Sequence, residues 1–243
     1  MLVPLRLTFG GSSNASEFCN CSETVCDITN ELLHCKDWDP SEIYSSIQSQ
    51  IPSTPLTLDS SIPFAESLPF AVDVPTETIG KADNFIDDLI VIILGDPGNI
   101  SRGNAAAALA LKLVSRPAYA QEPILRGHQA SFSKLLAEGR LEEVKTFLGW
   151  TLDTRRLLLS LPKDKYKEWS ADIVQMISGK SSSGDKIRKL VGRLNHVGFV
   201  IPAARHFLGR IRNFEETSYP TTKTIRRIPR DVLDDLRLWL DFL

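Results

Sequence analysis

Asp87 and Asp88 are the residues of this chain best placed to do chemistry. Adjacent carboxylates repel unless something offsets their charge. A divalent cation does so directly, because magnesium takes oxygen ligands, commonly one or two carboxylates with substrate phosphates. Two such ions about 4 Å apart stabilise both the attacking and the leaving oxygen of a phosphoryl transfer. A bare Asp pair more often marks a solvated turn, since Asp is common there. Here the pair is followed by Leu89–Leu94, an unbroken apolar run rich in β-branched residues and bounded by Gly95-Asp96-Pro97-Gly98. That is the pattern of a buried strand. The two acids stand where it begins, so a turn between two strands is expected to hold them.

Other elements follow from the same reading. Residues 2–9 form an apolar stretch of strand type that stops at Gly10-Gly11, and Ser12, Ser13 and Asn14 supply helix-capping side chains. A helix is expected over about 14–36, with Phe18, Val25, Ile28 and Leu32 on one face. Prolines and hydroxyl residues then punctuate 39–75, an irregular insert. An Ala-rich helix is expected over about 101–115. Residues 142–152 and 157–161 read as two strands joined by Asp153-Thr154-Arg155-Arg156, and Pro162 suits the first turn of a helix. The rest reads as helical: 163–178, a loop over Gly179–Gly184, then a helix with an apolar seam of Ile187, Leu190, Leu194, Val197 and Ile201. Lys189, Arg193 and His196 lie on its polar side. Beyond Pro202, a third helix carries Arg205, His206, Arg210 and Arg212. No internal repeat is visible.

At 243 residues with 42% hydrophobic content, the chain can bury one large core or two small ones. No apolar run reaches the length of a membrane span, and the first residues lack a secretory signal, so an intracellular protein is expected, in cytoplasm or nucleus. Cys19, Cys21, Cys26 and Cys35 fall in one expected helix without the paired spacing of a zinc site, so reduced, partly buried thiols are expected. The net charge of -2 conceals a split: residues 1–100 hold 3 Lys+Arg against 15 Asp+Glu, the remainder 25 against 15. A basic half points to a polyanionic partner.

Several short motifs share one likeness. Phe85-Ile86-Asp87-Asp88 resembles the catalytic box of reverse transcriptases, ordinarily Tyr-x-Asp-Asp on a palm hairpin. Pro4–Gly11 followed by Asn14–Phe18 resembles the strand–glycine–helix motif that precedes it. Phe147-Leu148-Gly149-Trp150 resembles the motif that grips the primer end. Leu190–His196 and Ile201–Leu208 are similar to the thumb or connection helices of retroelement polymerases, of the kind carried by diatoms and related microbes.

The resemblance implies an α+β fold: an incomplete palm over 1–161, then a helical thumb and connection region over 162–243. It implies RNA-directed DNA polymerisation, with an RNA template, a DNA primer and deoxynucleoside triphosphates as partners. Asp87 and Asp88 would hold Mg2+ or Mn2+, two ions in the intact enzyme. Gly10, Gly11 and Ser12 would border nucleotide and template, Phe147, Leu148, Gly149 and Trp150 would hold the primer, and Lys189, Arg193, Arg205 and Arg210 would contact the nucleic-acid backbone. Glycines at 10 and 11 allow close backbone approach, and basic helices suit sequence-blind tracking of phosphates. Trp150 reads first as a core residue, and His196 and His206 as packing or phosphate-contacting residues rather than metal ligands.

The chain also departs from that family. No acid precedes Gly10 where the family's first metal-binding Asp belongs, and Phe85 replaces the usual Tyr. The insert at 39–75 lengthens the interval between the glycine motif and the Asp pair. The expectation is therefore a fragment lacking fingers, first palm strand and any ribonuclease H domain, and inactive alone. A non-catalytic nucleic-acid-binding remnant is the alternative. A nucleotide cyclase ranks lower, since it too needs a further strand carboxylate.

Overall fold

Pairing of strand β1 (Gly80–Phe85) with β2 (Asp88–Ile93) begins at Phe85↔Asp88 and runs to Gly80↔Ile93, an antiparallel hairpin with two residues between its strands. A computed structural model describes residues 14–35, 37–42, 61–66, 77–86, 88–114 and 137–243, with residues 14–18 and 42 described by backbone alone. The strand expected over 2–9 and most of the insert at 39–75 lie outside these residues. The described residues are α+β, six α-helices with small antiparallel sheets. They divide into two compact units, Met1–Glu143 and Val144–Leu243. The boundary expected at 161/162 falls inside the second unit, because Trp150 and Leu161 belong to the core of the helices that follow.

In the first unit, helix α1 (Asn14–His34) packs on β1 and on helix α2 (Pro97–Val114). The buried side of α1 is Val25, Cys26, Thr29 and Leu33 rather than the expected stripe through Ile28 and Leu32. A polar residue can lie there because the Thr29 hydroxyl donates to Val25 O within the helix, at 2.7 Å. Asn30 then docks the helix to the sheet: its Nδ2 donates to Ala82 O at 3.0 Å and its Oδ1 accepts from Ala82 N at 2.8 Å. The side-chain amide thus takes the place of a neighbouring strand along β1. Cys35 lies just past the helix end, and all four cysteines are free thiols, two of them exposed. Burial, ahead of the Asp83 and Asp27 charges, pushes the Cys26 thiol pKa up.

Helix α2 begins four residues earlier than expected. Asp96 Oδ1 accepts from the backbone N–H groups of Gly98 and Asn99, and Pro97 fills the first helical position. Gly103 permits close approach of α2 to β2, since a Cβ there would meet Ile93 Cδ1 at 1.8 Å. Strand β2 is less buried than its apolar run led us to expect: Ile92 is 53% exposed and Leu94, just beyond it, 61%. Among the described residues, nothing but β1 pairs with it.

The second unit opens with a three-stranded sheet, β3 (Val144–Phe147), β4 (Trp150–Asp153) and β5 (Leu158–Ser160). The single strand expected over 142–152 is thus two strands, folded back at Leu148-Gly149. Both residues have positive φ, +46° and +82°, as the tight turns matching strand twist require. Helices α3 (Lys163–Gly179), α4 (Gly184–Val200), α5 (Gly209–Ser218) and α6 (Arg230–Phe242) enclose the core. The seam of α4 is buried as its spacing predicts: Ile187, Leu190, Leu194 and Val197. Two expectations are corrected here. Ser181–Ser183, read as loop, is a strand (β6) paired with β7 (Ile225–Arg227). The third helix is a 3-10 segment, Pro202–Leu208, running into α5.

Candidate functional site

Each unit holds one of the constellations read from the sequence. In the first, the register leaves Ile86 and the residue after it as the turn, with Asp88 opening β2. Ile86 has φ +56°, a left-handed conformation that a β-branched side chain adopts only at a cost. Phe85, Ile86 and Asp88 are exposed. Asp87 lies outside the described residues, as do Gly10, Gly11 and Ser12. Among the described residues, no three His, Cys, Asp or Glu side chains gather as a metal-binding group.

In the second unit the Phe147–Trp150 turn rests on α3 and α4. Trp150 is buried and stacks on His196, ring centroids 5.0 Å apart and planes 20° off parallel. Trp169 meets the same imidazole edge-on at 6.1 Å. Lys165 Nζ donates to Gly149 O at 3.5 Å, and glycine is favoured at 149 by its φ of +82°, since the lysine end could move away from an added Cβ. His196 Nε2 is buried, and no described residue meets it with ideal hydrogen-bond geometry. Burial holds the His196 pKa below the usual imidazole range, the nearby Lys165 charge adds to this, and the Gly149 backbone opposes it.

The folded form takes up a proton less readily than the unfolded chain, so stability is lost as pH falls through the usual imidazole value of about 6.5. The melting temperature of this unit should drop by a few degrees between pH of about 7.5 and about 5. His196→Phe, which keeps a ring against Trp150, should flatten that part of the profile. An unchanged slope in the variant would remove His196 as its source.

The four cations expected on nucleic acid are occupied within the protein. Arg193 pairs with Glu168 and with Asp172 Oδ2, the latter at 2.5 Å, and lies 5.5 Å from the Trp169 ring centroid. That pairing, with Lys189 at 3.4 Å, keeps the Glu168 carboxyl below its usual pKa. Arg210 forms a two-pronged pair with Asp235, whose side chain is fully buried. Arg205 Nε donates to Gly198 O at 2.7 Å, and its guanidinium covers the Phe199 ring. His206 is exposed and packs edge-on against Phe207. The partners Glu168 and Asp172 were legible as acids four apart, matching the bases four apart at Lys189 and Arg193. Asp235 carried no such signal.

No family model, curated protein or solved structure matches the chain. Among the described residues no helix is long and apolar enough to cross a membrane.

Proposed function

We propose that this chain is a fragment of an RNA-directed DNA polymerase of retroelement type, with residues from Gly80 to Ile93 as its catalytic hairpin. Residues 1–243 alone would not polymerise. The observation that carries the reading is the hairpin tip. A stable two-residue turn favours Asn-Gly or Asp-Gly, whereas here Ile86 takes positive φ directly before the Asp pair. Backbone strain of about 1–3 kcal/mol at such a tip is retained where something other than stability selects it.

Two further features support it. Among the described residues the apolar β2 strand has β1 as its one neighbour, as a palm sheet lacking a further strand would. The second unit holds 19 Lys+Arg against 11 Asp+Glu, the balance of a surface that follows phosphates. The same balance favours the second reading, a nucleic-acid-binding remnant in which the Asp pair is a relic.

The test is to read the transcript immediately upstream of Met1 and express what it encodes. An open frame carrying an acidic palm strand, joined to this chain, should give template-dependent extension of a DNA primer on RNA with magnesium or manganese. Asp88→Asn should lower that rate by about a hundredfold or more. Stop codons in that frame would leave the binding remnant as the function. Template-dependent synthesis by purified 1–243 would refute the claim that the fragment is inactive.

A further inference from the structure

We infer that the β6–β7 ribbon is a docking surface for the phosphodiester backbone of a nucleic acid, recognised by charge rather than sequence. The inference rests on the nucleic-acid part of the reading above but uses neither the Asp hairpin nor the primer-end motif.

The register pairs Ser181 with Arg227 and Ser183 with Ile225. Side chains alternate across a strand, so these four share one face. Ser182 and Arg226 take the other, where Ser182 is buried, Tyr219 Oη donates to Ser182 O at 3.1 Å, and Arg226 Nε donates to Ser218 O at 3.3 Å. The first face is therefore the outward one, and Ile225 is 70% exposed on it. Lys180 adjoins the ribbon, its carbonyl accepting from Ile228 N at 2.9 Å, while Lys223 and Arg230 flank β7.

Lys180, Lys223, Arg226, Arg227 and Arg230 are all exposed, and among the described residues none has a carboxylate partner. Asp185 and Asp231 are close in sequence, yet neither forms an ion pair with them. This contrasts with Lys189, Arg193 and Arg210, each held by an acid of the same unit. Like charges clustered without offset weaken the folded state, and a row of phosphates supplies the missing offset together with released counterions. The hydroxyls of Ser183 and Thr222 border the same ribbon and add uncharged phosphate donors, whereas Ser181 Oγ donates to Gly179 O and Thr224 Oγ1 bonds Thr221 Oγ1.

Lys180 sharpens the inference. It occupies the left-handed position that ends α3, with φ +50° and its N–H on Met176 O. Glycine is favoured there because it has no Cβ. A lysine at that position costs backbone strain and sets a cation beside β7.

The experiment uses the full chain, a fluorescent mixed-sequence RNA–DNA duplex of about 20 base pairs and a chelator, so that metal chemistry plays no part. Binding is read by anisotropy across a salt series. Combining Lys180→Gly, Lys223→Gln, Arg227→Gln and Arg230→Gln should weaken binding at least about tenfold near 0.1 M salt, and should lower the logarithmic salt slope by about 3. The melting temperature should not fall, and Lys180→Gly alone should raise it while weakening binding, opposite signs that a merely structural lysine would not give. Equal affinity and slope in the fourfold variant would overturn the ribbon and leave the polymerase reading intact, with other cations doing the binding. Failure of the unaltered chain to bind the duplex would overturn both. Tighter binding to anionic phospholipid vesicles than to the duplex would overturn the choice of partner.

Discussion

Replacing Trp239 with alanine is expected to destabilise the second unit by about 3–5 kcal/mol, the range for removing a large aromatic side chain from a packed core. Trp239 has no exposed surface and is the largest of the fully buried side chains. It lies on α6 beside Leu236, also fully buried, and its ring meets Phe242 edge-on at 5.8 Å. Its Nε1 donor is buried with no acceptor among the described residues. Trp239→Phe should therefore cost far less, about 1 kcal/mol, because deletion of an unpaired donor offsets part of the lost packing. Denaturant titrations of the two variants measure the difference. Equal losses would mean that the indole N–H contributes a bond, and a loss below about 1 kcal/mol for alanine would mean that α6 is not integral to the core.

Arg210→Ala should be nearly as damaging, although more than half of the arginine side chain is exposed. The reason lies with its partner. Asp235 is fully buried, and both of its oxygens are held by that one guanidinium. Truncating the arginine strands a carboxylate away from water, which is far costlier than losing a surface pair. A fall in melting temperature of about 10 °C or more is expected for a unit of this size. Adding Asp235→Asn should recover part of it by removing the stranded charge. A melting temperature unmoved by Arg210→Ala would place Asp235 in contact with water. A melting temperature that stays high while nucleic-acid binding collapses would return Arg210 to the backbone-contacting role expected from sequence.

The sequence was informative where a signal is local. The acid pair before Leu89–Leu94 placed a hairpin turn, and the strands pair about it. The spacing of Ile187, Leu190, Leu194 and Val197 identified the buried side of α4. Pro162 stands immediately before α3, where its missing N–H costs nothing. Local signals also exist at two places where the structure departs from the expected elements: Asp96-Pro97 is a capping pair, and Leu148-Gly149 is a turn dipeptide within the strand expected over 142–152.

Other features had no local signal. Ser181–Ser183 is a strand because Ile225–Arg227 lies alongside it, and three serines have no strand pattern of their own. Asn30 reads as an ordinary polar helix residue, yet it bonds the backbone of Ala82, which reaches it only after the hairpin folds back onto α1. Arg193 and Arg210 have the composition of a nucleic-acid surface, but whether a cation faces phosphate or carboxylate depends on what the fold brings within about 3 Å.

By itself, then, the sequence determined the periodic elements, the charge division of the chain and the position of the Asp pair, because these depend on residues within a few turns of one another. Tertiary structure alone decided, among the described residues, which cations meet carboxylates, which polar groups are buried, and how far β2 is covered. Those outcomes depend on long-range neighbours, and the energy of a charge or a hydrogen-bonding group is set by its surroundings more than by its identity.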